Sequence, residues 1–596
     1  MPLRVVVGVI AVCCACRGDR PAEGPDPHSY AQPGRVAVRH LALDLTVDFE
    51  RRALAGTATL ALTRTDAKAP LMLDGDALVI DSVKECDGKP LAFRVGKRGK
   101  VGEPIRVDLG AGDCVAIAYH TSPDASALLW VEPSGTAGGK QPMLFTQSQS
   151  THARSWIPLQ DSPGVRFTYA ATIRPPPGMW ALMSAPNPQE PPADGVWKFE
   201  QPHPIPGYLM ALAVGDFAFR RIGPRTGVYA EPSVVERAAW EFAEVETMID
   251  AAEKLYGPYR WGRYDMLVLP PSFPFGGMEN PNLSFLTPTV ISGDRTLVSL
   301  IAHELAHSWS GNLVTNATWN DAWLNEGFTT YVEHRIMEQL RGRETSDVMW
   351  YLGRQDIDDT VAKHGRGPAT RLAHQYGRDT AAEDIPVGIA YDKGALFLRT
   401  LELAYGRDTF DAWLRSWFDR HAFQSATSKM FEAEVKTLGT KVDIATWLYT
   451  GGVPADAAPA ASAKAAAIEQ LAASGADVDA TSWTTMEWRI FLRALPDKTP
   501  AARLQALDDK YHLTATTNAE IAMHWLPRVV NADIRTAAPA VEAYLLDVGR
   551  VRNLRPLYAA MMAGGEFWRA LAKTTFERAK PKYHPFARSV FANVVK

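Results

Sequence analysis

Three metal-binding side chains and one proton-transfer group stand at fixed offsets in a single stretch of the chain. His303-Glu304-x-x-His307 is followed, after eighteen intervening residues, by Glu326. Residues four apart on a helix share one face, so His303 and His307 can turn both imidazoles toward one ion. Zinc takes nitrogen and carboxylate-oxygen ligands at about 2.0–2.2 Å, and a catalytic site keeps a fourth position open for water. Two histidines and Glu326 make that three-ligand set. Glu304 is then free to take a proton from the water. A bare HExxH also occurs on solvated helices. Here the flanks Leu300, Ile301, Ala302, Leu305, Ala306 and Trp309 are apolar, which reads as a buried helix. Unpaired ionisable groups in such a helix are costly, and a bound cation accounts for them. Glu326 lies in Trp323-Leu324-Asn325-Glu326-Gly327, again among apolar residues. Glu333 follows two turns later on the same face. It either holds a ligand histidine through the second ring nitrogen, as outer carboxylates do, or is an ordinary surface charge.

Upstream of these residues stands Gly276-Gly277-Met278-Glu279-Asn280. This loop together with HExxH-x18-E resembles the gluzincin aminopeptidases, peptidase family M1. The longer runs PPSFPFGGMENPNLSFLTPT and WLNEGFTTYVE are similar to its leukotriene-A4 hydrolase branch. The likeness extends from about residue 35 to the C-terminus. It implies a multidomain α+β chain: an N-terminal antiparallel β domain, a thermolysin-like zinc catalytic domain and a C-terminal α-helical domain. It also implies one Zn2+ per chain, on His303, His307 and Glu326, and hydrolysis of the N-terminal residue from short peptides with a free N-terminus.

The resemblance further assigns roles residue by residue. Gly276, Gly277 and Met278 would lie along the bound peptide, and Glu279 would grip its amino terminus. An ammonium in a partly dry cleft pairs strongly with a carboxylate, and that pairing makes an exopeptidase. Gln149, in Phe145-Thr146-Gln147-Ser148-Gln149, would hydrogen-bond the substrate near its amine. Tyr391 would donate its phenol to the oxyanion. Arg550 and Arg552, in Gly549-Arg550-Val551-Arg552, would bind the C-terminal carboxylate of a short peptide. The chain departs from the leukotriene enzyme at Pro386, where that enzyme has a second tyrosine, and at Glu383, where it has an aspartate. These departures put lipid epoxide hydrolysis at the same zinc in doubt without touching peptide hydrolysis. A further alternative is an inactive peptide-binding lipoprotein, whose signature would be a missing ligand or base.

The elements that must position these groups are also legible. At 596 residues the chain should hold two to four domains. A net charge of −4 gives no electrostatic case for nucleic acid. Leu41, Leu43, Leu45, Val47 and Phe49 alternate with Ala42, Asp44, Thr46 and Asp48, the pattern of a half-buried strand. Similar stretches at 57–62 and 71–80 predict a β-sheet domain over 35–220. The catalytic domain is expected at 221–453. Ser233 and Glu236 predict a capping box there, opening a helix with apolar Ala238, Phe242, Val245, Ile249 and Ala252 that ends at Gly257-Pro258. Residues 454–460 read as a linker, and 461–596 as helices.

The first sixteen residues carry one Arg and an apolar run too short to span a bilayer, which needs about 20 residues. They predict a signal peptide. Ala15-Cys16 predicts a lipidated Cys16, although Cys13 stands where lipoprotein leaders usually have leucine. Residues 17–34 read as a flexible tether. On this reading the protein is exported, lipid-anchored to a bacterial membrane facing the periplasm or exterior, and a monomer. Cys86 and Cys114 either pair or remain two buried thiols.

Overall fold

The computed structural model describes residues 26–596. The expected leader and Cys16 therefore lie outside the described residues. Three domains follow one another, with β structure first, a mixed catalytic layer second and helices last.

The first domain is built on a six-stranded sheet. Its order is Trp197–Pro206, Arg166–Arg174, Val36–Asp48, Ala53–Arg64, Cys114–His120 and Val79–Glu85. Every neighbouring pair is antiparallel except Val36–Asp48 with Arg166–Arg174, which run parallel. The alternation read in the first strand is the core-facing one: Leu41, Leu43, Leu45 and Val47 are buried. The apolar stretch 71–80 is two strands, Leu71–Gly75 and Val79–Glu85, in different sheets. Asp74 lies inside the first of these strands and is a buried anchor. It accepts from Ser29 Oγ at 2.5 Å and from the backbone N–H of Tyr30 at 2.7 Å. Arg154 adds a bond to the His28 carbonyl at 2.9 Å. From residue 26 onward, then, the segment expected to be a tether is packed onto the sheet domain. Cys86 and Cys114 are joined as a disulfide.

The catalytic domain has a five-stranded mixed sheet. Its order is Ala218–Arg221, Thr226–Ala230, Tyr264–Val268, Leu283–Leu286 and Gly277–Met278. The two-residue strand Gly277–Met278 is the edge. Helices Val245–Tyr256, Ser299–Ala306, Trp323–Arg341 and Gly388–Tyr405 share one core with this sheet. The helix predicted from Ser233 is two helices, Val235–Glu241 and Val245–Tyr256. The predicted capping box does not form: no side chain caps Val235–Glu241, and Glu236 pairs instead with Arg220 on the neighbouring strand. The apolar positions Ala238, Phe242, Val245, Ile249 and Ala252 are nonetheless all buried.

The last domain is helical. The alanine-rich helix Ala463–Ser474 is capped by Ser462. A true capping box stands at Thr484 and Glu487, opening Thr485–Ala494. Among the described residues no helix is long and apolar enough to cross a membrane.

Candidate active site

Two helices meet end-on to build the metal triad. Ser299–Ala306 carries His303 and Glu304, with His307 at its C-terminal cap, and the first turn of Trp323–Arg341 carries Glu326. Glu326 Oε2 lies 3.5 Å from His303 Nε2 and 3.6 Å from His307 Nε2. That oxygen is buried and has no hydrogen-bond partner. Three ligand atoms held tetrahedrally at about 2.1 Å from zinc stand roughly 3.4 Å apart. The orphaned oxygen, the donor set and the spacing all fit one zinc ion, and His303, His307 and Glu326 are the residues that could hold it.

The other ring nitrogens are engaged, which leaves both Nε2 atoms for the metal. His303 Nδ1 lies 3.0 Å from Glu333 Oε2, two turns after Glu326 on the same helix. His307 Nδ1 faces the Ser310 carbonyl at 3.1 Å and Thr329 Oγ1 at 3.0 Å. Such partners fix ring orientation and tautomer.

Glu304 is buried beside the triad. Burial raises its carboxyl well above the usual range; the His303 charge opposes this and Glu279, Glu326 and Glu333 add to it. Gly277 lies directly over it, where a Cβ would come 2.1 Å from Glu304 Oε1. Only a glycine lets the edge strand pass so close to this carboxylate. The next residues, Met278 and Glu279, are buried. One oxygen each of Glu279 and Glu304 and a ring nitrogen of His307 lie within 4.8 Å of one another. Burial, reinforced by the Glu326 charge, pushes the Glu279 carboxyl up to about 7. A cation or ammonium brought to this cluster would favour the charged carboxylates again.

Tyr391, on Gly388–Tyr405, stacks on the His303 ring with centroids 5.8 Å apart, and its phenol is close enough to Glu326 to feel its charge. Burial, with the Glu326 charge, raises that phenol well above its ordinary range. Gln149 is half-buried at the end of its loop. Gln147, not singled out from the sequence, is the glutamine that touches the glycine-rich strand, with Nε2 3.3 Å from Met278 Sδ. Arg550 lies against Gly276, where a Cβ would meet its Nη2 at 2.6 Å. Its Nη1 is 3.1 Å from Glu520, and its side chain is only 13% exposed. Arg552 is 49% exposed, with Nη1 3.7 Å from Glu520.

Sequence reasoning also missed the residues that hold Glu279. Asn312 Nδ2 donates to the Glu279 carbonyl at 2.7 Å, and Asn325 Nδ2 lies 3.3 Å from Glu279 Oε1. Asn325 adjoins Glu326 inside the quoted motif, so a signal existed for it. Asn312, Gln147 and Glu520 reach their partners across gaps of 30 to 131 residues, and no local pattern marks them.

Comparison with known proteins agrees with this geometry. The Peptidase M1 N-terminal domain matches residues 27–209, the peptidase family M1 domain 240–447, and the leukotriene A4 hydrolase C-terminal domain 483–595. The chain is 37% identical to leukotriene A-4 hydrolase of Xenopus laevis, over 95% of this chain and 98% of that one. It is 35% identical to leucine aminopeptidase 2 of Pyricularia oryzae, over 95% and 97% respectively. The structure of yeast LTA4 hydrolase in complex with bestatin superimposes with a TM-score of 0.91 at 31% identity, covering 97% of this chain and 98% of that one.

These relatives also correct the reading of an exported lipoprotein with a signal peptide and a membrane anchor. Proteins matched along 95% of the chain are described as a leukotriene A-4 hydrolase and leucine aminopeptidases, not as membrane lipoproteins. The apolar run before Cys16 does not outweigh that match. The alternative of an inactive binding protein lacks its signature, because no ligand or base is missing from the cluster. The chain belongs to peptidase family M1, in its leukotriene-A4-hydrolase-like branch, and is a zinc metallo-aminopeptidase.

Proposed function

We propose that this aminopeptidase removes the first residue of short peptides with Glu279 as its reader of the free amine, Glu304 as its proton carrier and Tyr391 as its oxyanion donor. The carrying observation is the buried cluster of Glu279, Glu304 and His307, all within 4.8 Å. A carboxylate buried this deeply beside other carboxylates calls for a cationic partner. The α-ammonium of a peptide supplies one, and its seat at Glu279 puts the first peptide bond beside Glu304.

Bound at the triad, zinc supplies Lewis acidity toward the water and the scissile carbonyl. Glu304 takes the proton of the attacking water and hands it to the leaving amine. Tyr391 donates to the oxyanion as it develops, from a ring that stacks on His303. The edge strand Gly277–Met278 offers backbone groups along which an extended peptide lies. Gln149 contributes near the amine, and the basic turn takes the far carboxylate through Arg552, with Arg550 supporting the Gly276 loop.

Lipid epoxide hydrolysis draws no support from the two departures. Pro386 has no hydroxyl, and Glu383 Oε1 already accepts from Thr151, at 3.0 Å from N and 2.7 Å from Oγ1. The test is turnover of aminoacyl-anilides against N-acetylated controls and a lipid epoxide, with and without chelator. Glu304→Gln should keep one zinc per chain and lose nearly all turnover. Full activity in that variant, or efficient cleavage of blocked peptides, would sink the reading.

A further inference from the structure

Asn325 stands between Leu324 and the zinc ligand Glu326, is 1% exposed, and touches two groups with different work to do. Its Nδ2 lies 3.3 Å from Glu279 Oε1 and 3.4 Å from the Tyr208 hydroxyl. Its Oδ1 faces the other way, toward Gly311, and accepts no hydrogen bond. A Cβ at Gly311 would meet Asn325 Oδ1 at 2.4 Å and His307 Nδ1 at 2.8 Å. Gly311 itself has a φ of +102°, in the range that favours glycine.

The chemistry of the neighbours fixes which end of the amide points where. An ionised Glu279 only accepts hydrogen bonds, so the NH2 must face it. The amide oxygen is left on the side of Gly311, where His307 Nδ1 is already engaged by the Ser310 carbonyl and Thr329 Oγ1. An amide offers a donor at one end and an acceptor at the other. Aspartate has the same shape and lacks the donor. Alanine supplies neither end.

We propose that Asn325 is the positioning residue that holds the amine-reading carboxylate of Glu279 in place, and thereby a determinant of specificity for a free N-terminus. This rests on the reading of Glu279 given above. Two further contacts lock the same unit from behind. Tyr208 OH donates to the Gly311 carbonyl at 3.1 Å, and Asn312 Nδ2 holds the Glu279 carbonyl at 2.7 Å. Arg166, on a strand of the β domain, donates to the Asn312 carbonyl at 2.6 Å. The amine site is thus referenced to the HExxH turn and to the first domain together. Asn325 is the member that touches the carboxylate itself.

The test is a double-mutant cycle with Asn325→Ala, Glu279→Ala and the pair, read on a tripeptide. Zinc content and thermal midpoint are measured alongside. A hydrogen bond to a charged group contributes about 1.5–3 kcal/mol, or roughly ten- to a hundredfold. Asn325→Ala should lose that factor in kcat/KM, mostly through KM, with one zinc retained. On the Glu279→Ala background the same change should cost less than about threefold, because coupled residues do not add.

Asn325→Asp keeps the shape and removes the donor toward Glu279. It carries the test if the alanine variant folds poorly, and it should show the same KM loss. A readout free of turnover is calorimetric binding of leucinamide, against N-acetyl-leucinamide, to the zinc-free protein. The variants should lose the preference for the free amine. Full additivity in the cycle, loss of zinc in the aspartate variant, or unchanged amine preference would overturn the assignment to Asn325. Unimpaired Glu279→Ala would instead overturn the reading of Glu279 on which it rests.

Discussion

Gly327 and Gly394 face each other across two buried helices so closely that a Cβ on either would come within 2.7 Å of the other's Cα. Glu326 precedes the first glycine, and Tyr391 lies one turn before the second. The contact holds the helix of Tyr391 close against the helix of Glu326. Helix propensity alone would favour alanine at either place by about 1 kcal/mol. Overpacking costs about 1–3 kcal/mol and should win. Gly394→Ala should therefore lower the thermal midpoint by several degrees and reduce kcat more than zinc content. Scanning calorimetry with a metal assay and steady-state kinetics checks this. A stabilised variant with unchanged kcat would show that the close approach does not position Tyr391.

The bond between His303 Nδ1 and Glu333 makes a second prediction. The carboxylate holds the ring and raises its basicity toward a metal. Removing such an outer partner weakens metal affinity about ten- to a hundredfold. Glu333→Gln should show that loss in a chelator competition, while activity at saturating zinc falls far less. Unchanged affinity would make Glu333 a bystander.

The pairing of His303 with His307 and of Glu326 with Glu333 was legible because helical spacing is local: they follow from offsets of four and seven along helices. The strand alternation from Leu41 to Val47 was legible for the same reason. The capping box at Ser233 was misread because the competing partner of Glu236, Arg220, lies on a strand sixteen residues away. The orientation of the Asn325 amide depends on groups at positions 208, 279, 307 and 311, which only the fold brings together. A carboxylate 30 residues upstream of Arg550 leaves no trace in the basic turn it neutralises.

That carboxylate, Glu520, has a pH signature. Burial alone would raise it, but the charges of Arg552 and Arg550 outweigh burial and hold it at about 2, below its usual 4.5. A depressed carboxyl stabilises the fold above its unfolded pKa, and the contribution is lost as pH falls toward the folded value. Glu520→Gln leaves Arg550 without its partner, at a cost on the order of 3 kcal/mol. The gap in thermal midpoint between wild type and variant should stay level from about pH 7 to 5 and narrow below about 4.5. A gap that stays constant down to pH 3 would mean the charge of Glu520 contributes nothing.

The last prediction separates the two arginines of the basic turn. Reading from the motif alone, both would hold the far carboxylate of a short peptide. The geometry divides them. Arg550 is 13% exposed, is paired with Glu520 at 3.1 Å, and lies against Gly276 in the loop along which the peptide runs. Arg552 is 49% exposed, 3.7 Å from Glu520, and close enough to Asp392 to feel its charge. Arg552 is thus the freer of the two to meet a ligand, and Arg550 supports the loop. With Glu279 gripping the amine, an extended peptide advances at most about 3.3–3.6 Å per residue, so only substrates of about three residues reach both ends. Arg552→Ala should lose roughly tenfold or more in kcat/KM on tripeptides, the worth of one charge-assisted hydrogen bond. Its hydrolysis of an aminoacyl-anilide, which has no carboxylate, should barely change. Arg550→Ala should impair both substrates, because the Gly276 loop loses its support. If Arg552→Ala impairs the two substrates equally, the turn is structural and peptide length is set elsewhere.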